Sequence, residues 1–138
     1  MKRLPNWERL LAAEFAAAPA HFEWGTFDCA MFAANCVRAI TGSDPAAEFR
    51  STYSTEEAAA KIVGGDLGAF IAPLCKNHGM REVPPAYGRR GDVVLVDNGD
   101  PAHALGIVDH TGRFARCAGP KGLARVAMHK WLRAWRVG

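Results

Sequence analysis

No run of apolar residues in this chain of 138 approaches the roughly 18 to 20 needed to cross a bilayer. No membrane span is expected. The four cysteines, at 29, 36, 75 and 117, form no C-x-x-C pair, and their spacing fits no structural zinc module. A chain of this length buries a core without covalent staples. All four thiols are therefore read as free, with Cys36, Cys75 and Cys117 as small buried hydrophobes. Charge of one sign is also scarce: the formal balance is only +3. No nucleic-acid module signature accompanies it, so no nucleic-acid partner is expected. No repeat, low-complexity tract or linker interrupts the chain, which reads as one domain over residues 1–138.

The amino-terminal stretch MKRLPNWERLLAAEFAAAPAHF combines a basic pair with alanines, as a secretory signal does. Glu8, Arg9 and Glu14 interrupt its apolar run, so an amphipathic helix is expected there in place of a signal peptide, with synthesis in the cytoplasm. At the other end, RVAMHKWLRAWR has two readings. It is an edge strand or helix with inward tryptophans and solvated arginines, or a basic surface for an anionic partner.

What is present divides into two textures. The first half has helical periodicity. Trp7, Leu10, Leu11 and Phe15 share a face, and Pro19 ends that helix. Asp28 is an N-cap for a second helix to about Ile40, with Phe32, Cys36, Val37 and Ile40 along one stripe. TEEAAAKIV is a short third helix, and Asp66 opens a fourth that Pro73 weakens. SDPAAEFRSTYS and REVPPAYGRRGD read as loop and turn. From GDVVLVD onward, strands follow one another through short turns: HALGIVD, RFARCAG, LARVAM and the Trp-rich tail. Helices first, then consecutive strands, predict an α+β domain with a small antiparallel sheet of about four to six strands.

Two residues in this pattern could react. Cys29 sits in the first turn of the second helix. Unpaired N–H groups and the positive end of the helix dipole there favour a thiolate. A nucleophile also needs a base. Of the five histidines, His103 is best placed, because it opens an apolar strand and can face a cleft while a rigid element holds it. His21 is second; His78, His110 and His129 are expected in solvent or in the basic tail. Asp92, Asp97, Asp100 and Asp109 lie near strand ends, but no twelve-residue calcium loop is present, and no metal or other cofactor is expected.

The set W24-G25-x-x-D28-C29-A30-x-F32, then R90-G91-D92-V93-V94-L95, then H103-A-L-G-I-V resembles the NlpC-type cysteine peptidases of the papain-like superfamily. With the FEWG segment and the closing WR-V, it is most similar to their short branch among tail genes of bacteriophages and prophages. The resemblance implies a papain-like fold and a Cys29–His103 dyad. It implies hydrolysis of peptidoglycan stem-peptide amide bonds at host entry, by a virion component partnered with other tail-tip proteins. Trp24, Gly25 and Asp28 would wall the cleft, and the Cys29 N–H would serve the oxyanion hole. Asp28 would act as N-cap or meet the amine of a stem peptide. Ala30 stands where such enzymes have Ser. The third catalytic role falls at or near Arg116, whose guanidinium cannot accept a bond from imidazole. The same resemblance fits a tail-tip structural component with a degenerate site.

Overall fold

The computed structural model describes residues 1–138. Four helices precede or flank six strands: α1 (Trp7–Ala16), α2 (Cys29–Thr41), α3 (Glu56–Val63), α4 (Leu67–Asn77), β1 (Arg81–Val83), β2 (Val93–Val96), β3 (Ala104–Val108), β4 (Phe114–Gly119), β5 (Gly122–Ala127) and β6 (Trp131–Arg136). The α+β class expected from the sequence is observed. No single helix is long and apolar enough to cross a membrane.

Local chemistry sets the helix ends. The Asp28 carboxylate accepts from the Met31 N–H at 2.8 Å, the Thr55 hydroxyl from the Ala58 N–H at 3.2 Å, and the Asp66 carboxylate from the Ala69 N–H at 3.0 Å. Each bond satisfies one of the free amides of a first turn. Pro73 lies inside α4 without ending it. Its ring is on the exposed side, where the chain can relax around the missing amide donor.

The sheet has the order β1-β6-β2-β3-β4-β5, with every pair antiparallel. Two expectations need correcting. The REV of the supposed turn segment forms β1, because Arg81, Glu82 and Val83 pair with Arg136, Trp135 and Ala134. The Trp-rich tail is not an edge: β6 lies between β1 and β2. Its tryptophans do pack inward, with Trp131 and Trp135 buried. Its arginines are not simply solvated, since Arg133 pairs with Glu82 at 2.7 Å and Arg136 with Asp92 at 2.9 Å.

Side-chain alternation divides the core between the two faces of the sheet. Val93, Leu95, Leu105, Ile107 and Trp135 join α1, α2 and α4 in one cluster, around Leu11, Phe32, Val37, Ile40 and Ile71. Val94, Val96, Val108, Ala115, Cys117, Val126 and Trp131 form a second cluster. It is covered because the sheet curls on itself. The short turn Met128–Lys130 joins β5 to β6, which stand far apart in the strand order, and the Trp131 indole N–H donates to the Val126 carbonyl at 3.1 Å. Cys29 packs against both clusters.

Asp92 ties the chain ends to the sheet. It is fully buried. One oxygen accepts from Arg3 and from the Val137 N–H, both at 3.1 Å. The other accepts from Arg136 at 2.9 Å and from the Arg89 N–H at 3.0 Å.

Candidate functional site

The segment before α2 is a tight loop. Glu23 and Phe27 exchange backbone hydrogen bonds, Glu23 N–H to Phe27 carbonyl at 2.9 Å and the reverse at 2.8 Å. Gly25 stands at the tip with φ +88°, and a Cβ there would lie 2.2 Å from the Tyr53 carbonyl oxygen. Any side chain would push this loop off the 53–54 segment. Trp24 packs edge-on against Phe22, with ring centroids 4.8 Å apart.

Asp28 is buried and its two oxygens are divided among three donors. One caps α2 at Met31; the other accepts from the Gly25 N–H at 2.9 Å and the Tyr53 hydroxyl at 2.6 Å. Of its two sequence-level roles, the cap is therefore realised, and the carboxylate is committed to the loop rather than open to a substrate amine. Burial and the bond to Asp28 together push the Tyr53 phenol well above its usual range, which keeps it a donor.

Cys29 follows as the first residue of α2, and it is the one cysteine of the four that is not buried. All four are free thiols. Loss of water around the Cys29 sulfur is the largest influence and pushes its pKa up to about 11. The Leu105 backbone N–H pulls it down, the Asp28 charge raises it, and the Ala30 and Cys29 N–H groups lower it again. The helix-head effect expected from the sequence is thus present but outweighed by desolvation. The resting group is a neutral thiol.

His103 immediately precedes β3, at the end of the turn-rich loop 97–103. Asp97, Asn98 and Asp100 each accept a backbone N–H two residues on. The His103 N–H donates to the Asp100 carbonyl at 2.9 Å. Its φ of +63° is left-handed, a conformation few residues without a glycine's freedom adopt. Its Nδ1 is buried without a hydrogen-bond partner. Leu105, whose amide acts on the Cys29 sulfur, lies two residues further along the chain.

These pieces meet in one cleft. Trp24, Asp28, Cys29, Asp100 and His103 all line a cavity of about 280 Å³ between α2, the α3–α4 pair and the sheet. Gly25, Trp24 and Tyr53 line a second, polar groove beside it. Arg116 lines neither. Its cross-strand partner is Ile107, on the helix-facing side of the sheet, and its guanidinium lies 6.0 Å from the Phe15 ring centroid. The third-role position suggested by the sequence therefore does not line the cleft. The neighbour on the other face of β4 is Cys117, which fits because Gly106 has no side chain: a Cβ there would be 2.6 Å from the Cys117 sulfur.

Two features escaped the sequence reading. Tyr53 sits in a segment taken as plain loop, where only its i,i+4 relation to Phe49 in a polar run hinted at a buried role. The apolar face of α3 is the other. Ala59, Ile62 and Val63 line the cavity, yet α3 has no buried residue.

The chain is thus an α+β domain with a thiol at a helix head and an imidazole at a strand head in one cleft. A family described as Domain of unknown function (DUF6950) matches residues 2–137, and the chain belongs to that family. No curated protein matches it.

Proposed function

We propose that this chain is a papain-like thiol hydrolase of the NlpC type that cleaves amide bonds of peptidoglycan stem peptides, carried in a bacteriophage tail. The observation that supports it is the shared cleft of Cys29 and His103, from distant parts of the chain and each held at the head of a regular element. In this reading His103 takes the thiol proton as Cys29 Sγ attacks the carbonyl. The neutral thiol requires base-assisted attack rather than a standing ion pair. The first-turn amides of α2 receive the developing oxyanion. His103 then protonates the departing amine, and water releases the acyl group.

A second reading, a tail-tip structural component with a degenerate site, is favoured by two observations. The thiol is pushed to about 11, and nothing bonds to the His103 Nδ1 to orient the ring. Release of soluble peptides from purified peptidoglycan separates the two. The hydrolase reading expects release by the native chain and none by Cys29→Ala or His103→Ala with the fold intact. The structural reading expects no release from any of them, with tail assembly normal in Cys29→Ala particles and lost when the chain is deleted.

A further inference from the structure

The cavity behind Cys29 is far more apolar than a site for a polar peptide requires. Its polar lining is small: Cys29, His103, Asp100 and Glu56, with Asp28 and Tyr53 already bonded to each other. The rest of the lining is apolar, including Val37, Phe49, Ile62, Phe70, Ile71 and Leu105. The volume of about 280 Å³ is nearly twice that of an apolar cavity of about 150 Å³ that accepts benzene.

The wall formed by α3 is the telling part. Its apolar side chains turn toward the cavity, but packing leaves every one of them partly exposed. A helix whose apolar face is not buried against its own chain has surface left for a ligand to cover.

The neighbouring groove has the opposite character. Glu23, Thr26, Ser51 and Thr52 line it and are exposed, and Trp24 and Tyr53 form the wall between the two spaces. In a thiol hydrolase the acyl half of the substrate stays while the leaving half departs. The more enclosed space suits what must remain, and the exposed groove suits what leaves.

We propose that the cavity is the acyl subsite, and that the preferred substrate carries a bulky apolar group next to the scissile carbonyl, attached to a polar leaving amine or alcohol. This goes beyond the hydrolase reading in its substrate class, an apolar acyl compound in place of a stem peptide, and rests on that reading only for Cys29 as the nucleophile. The Sγ–C bond forms as the C–N or C–O bond breaks, and the thiol proton passes through His103 to the leaving atom. Water then forms the new C–O bond as the S–C bond breaks, and one proton of that water passes through His103 to sulfur.

The test uses 4-nitrophenyl acetate, butyrate and octanoate with the whole chain, and octanamide and acetamide binding to Cys29→Ala by calorimetry. The expected kcat/KM rises about fourfold per added methylene, and octanamide binds where acetamide does not. Ala60→Phe, at a cavity-lining and exposed position of α3, is expected to flatten the chain-length dependence and to abolish octanamide binding. Turnover with no dependence on chain length overturns the acyl subsite and leaves the nucleophile standing. Octanamide binding to Cys29→Ala that Ala60→Phe abolishes, with no ester turned over by the native chain, overturns the hydrolytic role of the site while showing the cavity to be an apolar-ligand pocket. Absence of both binding and chain-length preference overturns the proposal entirely.

Discussion

The Tyr53 hydroxyl donates to the Asp28 carboxylate across 2.6 Å, from a loop 25 positions away in the chain. The bond joins the 51–54 segment to the head of α2 and so fixes where Cys29 begins. The same carboxylate holds Gly25 and Met31, so three backbone segments converge on one buried side chain.

Removing that carboxylate should loosen the site before it unfolds the protein. Asp28→Ala loses the helix cap and leaves the Tyr53 hydroxyl and the Gly25 amide unpaired, at a cost of about 2 to 4 kcal/mol in denaturant unfolding. Tyr53→Phe removes one bond and should cost about 1 kcal/mol. In a double-mutant cycle the two should couple, because each removes the partner of the other. Strict additivity would mean that the contact carries no energy.

Stability should fall in alkali, and the thiols set the direction. Burial raises the pKa of Cys29 to about 11 and of Cys75 and Cys117 to about 12, and raises Cys36 as well. An unfolded thiol ionises near pH 8.5. Below that pH both states hold their protons and the contribution is complete. As pH rises further, the unfolded chain loses protons first, so folding weakens until the folded thiols ionise in turn. The loss approaches about 1.4 kcal/mol per pH unit for each thiol. Thermal unfolding between pH 8 and 10.5 measures it. Cys117→Ala should flatten the slope while lowering stability at pH 8.

The Asp92 site predicts a different response. Asp92→Ala would leave two guanidinium groups, Arg3 and Arg136, largely buried without their shared partner. A loss of about 3 to 5 kcal/mol is expected, with the carboxyl-terminal Val137 released from its bond to Asp92, seen as faster amide exchange at the end of β6. Asp92→Asn keeps two acceptor lone pairs and should lose less. An unchanged midpoint for the alanine variant would show that the ends are held by something else.

Periodicity made the helices legible, and alternation made most strands so. Caps at Asp28, Thr55 and Asp66 marked helix starts because a short acceptor side chain acts within three residues of its own position. The role of Asp92 was not legible, since its partners Arg3 and Arg136 come from opposite ends of the chain. Strand β1 was hidden for the same reason. Three residues beside two prolines form a strand only because β6 offers them an edge. That Cys29 and His103 line one cleft could be anticipated from local motifs because each residue marks the head of an element. The ionisation of the thiol could not. The helix-head effect is local and visible in sequence, whereas desolvation depends on which walls the fold closes around the sulfur. Arg116 shares the helix-facing side of the sheet with Ile107 but packs toward Phe15 rather than lining the cleft, a placement that strand alternation alone does not reveal.

The most direct measurement is the pH dependence of iodoacetamide modification at Cys29, read by peptide mass spectrometry in the native chain and in His103→Ala. The account predicts that Cys29 is alkylated before the three buried cysteines. Its rate should rise steeply from pH 7 toward 11 without a neutral plateau, and a peptide-amide substrate should protect it. In parallel samples given substrate and no iodoacetamide, the native chain should form a thioester on Cys29 that His103→Ala does not. Alkylation that ignores His103 and substrate alike, with no thioester on Cys29 under any condition, would contradict it.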